Sequence, residues 1–312
     1  MSTHRPPAIT AVLTHAACLA HETPVGHPES AVRLQAVLDA LSGDEFRALK
    51  RVEAPRASVD MLARVHDRDY IRALLACIPA SGIAMIDSDT AVSAGSREAA
   101  LRAAGAGVKA VNLVMAGEIR NAFCAVRPPG HHATSNRAMG FCLFNNVGVG
   151  ASHARAEFGL ERIAIVDFDV HHGNGTEACF GLKKGYFYGS THQSPLFPGT
   201  GRNAAGPAIH NRPLSAGSGS VAFRAAFGAI LEELARFRPD FIFISAGFDA
   251  HRDDHMAQLK LDENDYAWAT EAVCKIAAET CEGRVVSTLE GGYDLPSLAR
   301  SVRAHVQALM VA

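Results

Sequence analysis

The segment RIAIVDFDVHHGNGT, residues 162–176, joins an apolar run to a cluster of side chains that bind metals and transfer protons. Ile163 to Val166 are apolar and mostly β-branched, and the run is too short for a typical helix, so it predicts a buried strand. Two aspartates, two histidines and two glycines follow directly. The segment therefore indicates a strand whose carboxyl end carries chemistry.

Three other short apolar runs have the same form, and each of them also ends in reactive residues. They are Ala122 to Val126, Phe241 to Ser245 and Arg284 to Leu289. The residues that follow them are RPPGHH (127–132), AGFDAH (246–251) and EGGYD (290–294). Because ligands of parallel α/β sheets bind beyond the carboxyl ends of the strands, we expect all four strand ends to meet at one crevice.

Helical patterns separate these runs. The predicted helices cover Glu98 to Ala116, with a start at Ser96, Val221 to Phe237, and the segment from the capping residue Asp262 to a stop at Gly283. Strands that alternate with helices predict an α/β fold with three layers, α/β/α, around a mostly parallel sheet. No linker-like stretch or repeat interrupts the chain, so we expect one catalytic domain over residues 1–312.

The composition of the chain narrows the function classes. Its hydrophobic content of 48% is enough for a full core, and its net charge of -2, without a basic cluster, argues against binding to nucleic acid. No apolar run nears the length that spans a bilayer. The seven cysteines are scattered and form no Cys-x-x-Cys pair, which is typical of reduced thiols, so we expect a cytoplasmic protein.

The residue spacing predicts a metal site. In an extended segment Asp167, Asp169 and His171 share one side, because side chains alternate with a period of two. A divalent cation would remove the repulsion between their charges. Asp249, from AGFDAH, would complete a site of three ligands with open positions for water and substrate. Such an oxygen-rich set is compatible with Zn²⁺ or Fe²⁺.

His131 and His132 follow the sequence Pro128-Pro129-Gly130. Prolines restrict the backbone, so they predict a rigid turn, and a rigid turn suits a pre-organised general base. A plain turn with exposed imidazoles is the alternative interpretation.

The combined motifs resemble those of the histone deacetylase family. In order they are RPPGHHA, GFCLFNN, DFDVHHGNGT, FPGTG, AGFDAH and LEGGYDL, and the resemblance runs from about residue 20 to the end. HPESAVRL, DSDTAVSAGS and LEGGY resemble in particular the bacterial amidohydrolases related to class II deacetylases. The resemblance implies the arginase/deacetylase fold and a zinc-dependent deacetylase that hydrolyses the amide of an acylated lysine or a similar amine.

The resemblance also implies roles for residues of these motifs. The zinc ligands would be Asp169, His171 and Asp249. It pairs His132 with Asn174, whose neutral amide should favour the neutral imidazole that a general base requires. His131, held by Asp167, would supply electrostatic support. Tyr293 follows two glycines that allow a sharp bend, and it would donate to the developing oxyanion; a core tyrosine is the alternative.

Further residues of the substrate pocket follow from the same resemblance. They are Asp89, Gly140, Phe141, Phe197, Met256 and Arg33. Phe141 and Phe197 would form aromatic walls around the lysine stem. Asp89 would grip the substrate backbone, although the nearby Asp87 is an alternative. Arg33 would line an internal channel for acetate release, and an exposed helix arginine is the other interpretation.

Two smaller inferences concern ligands. Met256 lies where the family has an aliphatic residue or, in polyamine deacetylases, an acidic one, so a methionine there argues against polyamines. The resemblance also implies a structural potassium ion. Its ligands would be oxygens of Asp167, Asp169, His171, Ser190 and Thr191.

Two alternative functions remain open. An arginase-like ureohydrolase with two manganese ions would need an aspartate at Gly173 and an Asp-x-Asp pair that begins at Asp249, where the chain has Ala250 and His251 instead. A catalytically silent scaffold that binds acyl-lysine could have lost a catalytic residue, yet every catalytic position is filled. The physiological substrate, an acylated protein, an acetylpolyamine or another small amide, stays open, as does the oligomeric state.

Overall fold

The computed structural model describes residues 9–203 and 206–312, so the first eight residues of the predicted domain lie outside the described part. The strands are β1 (Thr10–Thr14), β2 (Lys50–Glu53), β3 (Ile83–Met85), β4 (Ala91–Ser93), β5 (Asn121–Cys124), β6 (Ile163–Asp167), β7 (Tyr186–Gln193), β8 (Ile209–Leu214), β9 (Phe241–Ala246) and β10 (Val285–Leu289). Eight of them form one sheet in the order β2-β1-β5-β10-β9-β6-β7-β8, with parallel neighbours throughout. The short strands β3 and β4 form a separate antiparallel pair.

Helices cover this sheet and complete an α/β/α fold of one domain. They are α1 (Ala31–Ala40), α2 (Val59–Leu62), α3 (Arg68–Cys77), α4 (Ser96–Met115), α5 (Asn146–Phe158), α6 (Asn174–Phe180), α7 (Ser220–Phe237), α8 (Glu263–Thr280) and α9 (Leu295–Val311). α4 packs on α5, whereas α1 packs on α9, α9 on α8 and α8 on α7. No helix in the described part of the chain has the length and apolar content needed to cross a membrane.

The four predicted strands are the four central strands of the sheet, in the order β5-β10-β9-β6. The predicted ends agree with the observed ends to within two residues. All residues of these four strands are buried, because helices cover both faces, and strands of this kind have continuous apolar sequences. Neighbouring parallel strands bring their carboxyl ends together, so the four reactive loops lie side by side.

The three predicted helices are confirmed as α4, α7 and α8. α4 begins at Ser96 as predicted. At the start of α8 the side chain of Asp262 accepts from the backbone N–H of Asn264, and the side chain of Asp265 accepts from the backbone N–H of Asp262. This capping box satisfies backbone donors that a helix start otherwise leaves unpaired, a contribution of about 1 kcal/mol.

A buried histidine ties α9 to its neighbours. His305 is fully buried, and its Nδ1 lies 2.6 Å from the hydroxyl of Thr270 on α8 and its Nε2 2.8 Å from the hydroxyl of Ser287 on β10. Its ring packs edge-on against Phe123 at a centroid distance of 5.5 Å. Burial lowers the pKa of His305 from 6.5 to about 3, because a charged imidazole would lose its hydration there.

This histidine should make stability depend on pH. The unfolded chain binds a proton at His305 below pH 6.5 and the folded protein does so only near pH 3, so the stabilisation present above pH 6.5 is lost as the pH falls. From pH 7 to pH 5 the loss should be about 2 kcal/mol. We expect the advantage of the wild type over His305→Gln, measured by urea unfolding, to shrink by this amount over that range.

The exposed His255 offers the matched substitution, His255→Gln, with which the effect of His305→Gln is compared. An equal difference between wild type and His305→Gln at pH 7 and pH 5 would contradict the prediction.

Candidate active site

A pocket of about 260 Å³ opens at the carboxyl ends of the central strands. It is lined by Asp89, His132, Gly140, Phe141, His171, Phe197, Met256 and Tyr293. Five of the six residues predicted to bind substrate are therefore in its wall. The sixth, Arg33, is fully buried outside this lining, so the interpretation as an exposed helix arginine is wrong.

Three of the predicted residues converge at the pocket floor. Asp169, His171 and Asp249 are buried, and one potential ligand atom from each lies within 4.8 Å of the others. The Nδ1 atom of His171 lies 3.1 Å from Oδ1 of Asp169 and 3.1 Å from Oδ2 of Asp249. Among the described residues this is the one group of three such side chains that comes together.

The backbone reaches this arrangement by bending, so the predicted extended segment from Asp167 to His171 is wrong beyond Asp167. Strand β6 ends at Asp167, whose Oδ1 accepts from the N–H of Asp169 at 3.1 Å. In the same way, Oδ1 of Asp169 accepts from the N–H of His171 at 2.9 Å. These two turns bring Asp169 and His171 to Asp249 and leave Asp167 beside His131.

The electrostatics of these three residues fit a divalent cation. Burial alone would lower the pKa of His171, but its hydrogen bonds to Asp169 and Asp249 and their charges raise it to about 10. Burial, followed by the charge of Asp169, raises the pKa of Asp249 to about 7. A cation in place of the proton would relieve this buried negative charge, and two carboxylates with one imidazole are suitable ligands for it.

The two neighbouring histidines have different hydrogen-bond partners. Nδ1 of His131 lies 3.1 Å from the carboxylate of Asp167, which also accepts from the hydroxyl of Tyr188 at 3.2 Å. Nδ1 of His132 lies 2.8 Å from the side-chain oxygen of Asn174. An amide oxygen only accepts, so Nδ1 of His132 carries the hydrogen and Nε2 of the neutral ring has a free lone pair.

Neighbouring charges separate the pKa values of the pair. Burial alone would lower the pKa of His131, but the charges of Asp169 and Asp167 raise it to about 10. Burial, together with the positive charges of His131 and His171, holds the pKa of His132 well below 6.5. At neutral pH the geometry therefore combines a protonated His131 with a neutral His132, which is the form that can accept a proton.

Two aromatic rings shape the pocket. Phe197 is 40% exposed and packs edge-on against His132 at a centroid distance of 5.1 Å. Phe141 lies 6.0 Å from the ring of Tyr293. Between the two phenylalanines, a Cβ at Gly140 would overlap the ring of His132, and Gly140 also has a φ of +55°. Glycine is needed there because it leaves room beside the imidazole and adopts this backbone conformation without strain.

The rim aspartates have distinct environments. Asp87 accepts from the backbone N–H groups of Asp89 and Thr90, so it is the turn residue of the two. Asp89 lines the pocket, and its carboxylate accepts from the hydroxyl of Thr90 at 2.7 Å. The same hydroxyl accepts from the N–H of Phe141 at 3.2 Å. Thr90, which the sequence analysis did not single out, thus links the rim aspartate to the aromatic wall.

Buried charged side chains bind the loop that carries Tyr293. Arg33 donates to the carbonyl oxygens of Gly292 (2.5 Å) and Glu290 (2.6 Å), and its guanidinium carbon lies 4.8 Å from the centre of the Tyr293 ring. It also donates to Glu29, which pairs with Arg127 as well. Burial alone would raise the pKa of Glu29, but Arg127 and Arg33 lower it to about 2.

Glu29, Arg127 and Glu290 were absent from the sequence predictions, although all three lie inside the quoted motifs. Oε2 of Glu290 accepts from the N–H groups of Gly130 (2.7 Å) and His131 (3.1 Å), so it holds the turn that carries both histidines. A charged residue next to a glycine or a proline was the available signal, since such a residue has backbone donors within reach.

Of the residues predicted to bind potassium, Asp167 ends β6, Asp169 and His171 follow it, and Ser190 and Thr191 lie within β7. Strand β7 pairs with β6 so that Ser190 is opposite Asp167. The buried hydroxyl of Thr191 has no hydrogen-bond partner among the residues that the structure describes, as expected of an oxygen available to a cation. The hydroxyl of Ser190 lies 2.9 Å from Nδ1 of His192.

The sequence of this chain is similar to those of known deacetylases. Residues 27–309 match the histone deacetylase domain. Histone deacetylase 14, chloroplastic, of Arabidopsis thaliana is 39% identical over 310 residues, which cover 91% of this chain and 73% of that protein. The histone deacetylase-like amidohydrolase of Pseudomonas aeruginosa is 38% identical over 274 residues, which cover 85% of this chain and 71% of that protein.

A solved structure is similar over nearly the whole chain. The crystal structure of the HDA15 HD domain superposes with a TM-score of 0.89 at 33% sequence identity, and the match covers 97% of this chain and 88% of that one. The matched domain, the relatives and the shared fold agree with one another, and the chain belongs to the histone deacetylase family of deacetylases and amidohydrolases.

Proposed function

We propose that this chain is a zinc-dependent amidohydrolase that removes acetyl or other short acyl groups from the ε-amine of lysine or a similar amine. One observation carries the proposal. The pocket has apolar walls and is lined by His171 of the cluster with Asp169 and Asp249, and by the neutral imidazole of His132 and the phenol of Tyr293. A flexible alkyl chain that ends in an amide matches both its shape and its chemistry.

The walls would bind the substrate stem. Four methylenes between Phe141 and Phe197 gain at most about 3 kcal/mol, at about 0.8 kcal/mol for each buried CH₂. Asp89 at the rim would accept hydrogen bonds from the substrate backbone. Together these contacts would hold the acyl carbonyl at the pocket floor, and correct positioning is itself a large part of catalysis.

The chemistry would divide among residues with complementary charges. Asp169, His171 and Asp249 would hold a divalent metal, which would supply Lewis acidity toward the amide carbonyl and a bound water. His132 Nε2 takes the proton of the attacking water and later gives a proton to the leaving amine. Tyr293 donates a hydrogen bond to the developing oxyanion, and the protonated His131 adds favourable charge.

The identity of the ions and the compartment belong to the same proposal. We infer Zn²⁺ as the ion at the pocket floor, with Fe²⁺ as the alternative for the same ligands. A potassium ion would bind to oxygens of Asp167, Asp169, His171, Ser190 and Thr191. Six of the seven cysteines are buried and all are free, which fits a reducing compartment such as the cytoplasm.

Metal content tests the first part of the proposal. We expect one zinc ion per chain by elemental analysis, and Asp249→Asn should weaken zinc binding by at least about 100-fold, since loss of a mere supporting contact already costs 10–100-fold. Zinc should raise the Tm of the wild type and leave that of Asp249→Asn unchanged, because only a bound ligand stabilises the folded state.

Asp253→Asn, an exposed aspartate of the same loop, should bind zinc like the wild type. Two ions per chain would instead favour the two-metal ureohydrolase.

Tyr293→Phe tests the oxyanion role. The variant should fold, bind zinc and lose about 10²–10³ in kcat, which is the usual cost of one oxyanion donor. Turnover is measured on an acetyl-lysine peptide, with Tm and zinc content as controls for folding. Near-normal turnover would refute the role.

A substrate profile tests the choice of amine. An acetyl-lysine peptide should be hydrolysed with at least about tenfold higher kcat/KM than acetylspermidine, because Met256 offers no charge to a second ammonium group. Longer acyl-lysines and other small amides complete the panel, with Asp169→Ala as the blank. Comparable efficiency on acetylspermidine would overturn the preference, and binding of acyl-lysine without release of carboxylate would favour a silent reader.

A further inference from the structure

We propose that Asp254 is a positioning residue for the proposed reaction, because its carboxylate holds the backbones of Tyr293 and Met256 in one fixed arrangement at the pocket wall. The inference rests on the function proposed above for Tyr293. It concerns a side chain that does not line the pocket, and that would act through the residues that do.

The contacts of Asp254 are the basis of the inference. Its Oδ2 accepts from the backbone N–H groups of Tyr293 (2.6 Å) and Asp294 (3.1 Å), and its Oδ1 accepts from the N–H of Met256 (3.0 Å). Asp254 is 5% exposed. Hydrogen bonds from backbone N–H groups to a carboxylate are about twice as strong as those between neutral groups, so the two loops are firmly joined.

The carboxylate is devoted to these backbone groups. Within residues 9–203 and 206–312, no lysine, arginine or histidine forms an ion pair with Asp254. Its neighbour Asp253 differs in exposure and in pairing, since its side chain is 53% exposed and pairs with Arg300 at 3.0 Å. A buried carboxylate without a cation is costly, and three N–H donors are what offsets that cost here.

The loop that carries Tyr293 contains two glycines, so its backbone needs contacts that fix its conformation. Tyr293 follows Gly291 and Gly292, and Gly292 has a φ of +123°. Two glycines in succession leave the backbone with more conformational freedom than any other pair. Arg33 binds the carbonyl oxygen of Gly292 from one side, and Asp254 binds the N–H groups of Tyr293 and Asp294 that follow. The positively charged Arg33 thus binds the turn just before Tyr293, and the negatively charged Asp254 binds it at Tyr293 and just after.

The same carboxylate couples the phenol to the metal cluster. Asp254 lies five residues after Asp249, and its own N–H donates to the carbonyl oxygen of His251 at 3.0 Å. The loop that supplies a predicted ligand therefore also sets the position of Tyr293. A shift of about 1 Å between a catalytic group and its target can cost 10²-fold in rate, so this coupling would matter for turnover.

A double-mutant cycle tests the inference. Asp254→Asn retains the shape of the side chain but can no longer accept from both loops with two oxygens. We expect it to lower kcat on an acetyl-lysine peptide by about 10–100-fold, with unchanged zinc content. In the Tyr293→Phe background the same substitution should lower kcat by less than about threefold, because the hydroxyl that it misplaces is already absent.

Asp253→Asn is the matched control and should leave kcat, KM and zinc content unchanged. A kcat loss from Asp254→Asn that is equal in both backgrounds would overturn the proposal, since it would indicate a structural role that does not pass through Tyr293. No loss, or loss of zinc, would overturn it as well. If Asp254→Asn fails to fold, Asp254→Glu replaces it, because it keeps the charge and displaces the carboxylate by one methylene. We then expect the same kcat loss in the wild type and the same small effect in the Tyr293→Phe background.

The single variant Tyr293→Phe distinguishes the two levels of the argument. Near-normal turnover of that variant contradicts the proposed function itself. A strong loss in Tyr293→Phe, combined with additive effects of Asp254→Asn, contradicts only the positioning role.

Discussion

Two carboxylates, Asp169 and Asp249, share one buried imidazole at the carboxyl ends of the central strands. In the described part of the chain neither of them pairs with a lysine or an arginine. Negative charge concentrated in this way is expensive inside a protein unless a cation compensates it. The remaining features of the site, namely the bent backbone after β6 and the loops that carry the pocket walls, are arranged around these two carboxylates.

The site uses that charge to make two neighbouring histidines different. His131 faces carboxylates and holds a proton, whereas His132 faces the amide of Asn174 and two positively charged neighbours and stays neutral. The difference comes from the charges around each ring rather than from burial, since both rings are buried. Neighbouring charges thus decide which imidazole can act as a base.

Buried charged side chains also hold the flexible loops in shape. Glu290 binds the N–H groups of the histidine turn, Arg33 binds carbonyl oxygens of the glycine turn, and Asp254 binds the N–H groups after it. Each of these side chains binds backbone atoms of a loop whose residues line the pocket. A site held in this way needs little reorganisation during a reaction, and this pre-organisation is where electrostatic catalysis gains most of its effect.

The sequence predicted the middle of the sheet much better than its margins. The central strands are buried on both faces and therefore have continuous apolar sequences, so β5, β6, β9 and β10 could be read directly. β7 is equally buried, but its segment from Gly189 to Gln193 is polar. The residues of β2 alternate between partly buried and exposed. Neither strand therefore had a recognisable apolar run. Likewise, the residues of the pocket were found because they fall in the motifs after the central strands or match the family.

Composition, periodicity and motif spacing by themselves determined the α/β class, the four central strands and the residues that lie at their ends. Only the tertiary structure decided which of those residues meet, which imidazole is neutral, and that Thr90, Glu290 and Asp254 bind the loops. The reason is physical. A buried strand can be predicted from the hydrophobic pattern of a few consecutive residues. The hydrogen bond between Asp254 and Tyr293 joins residues 39 positions apart, so it exists only once the sheet has brought their loops together.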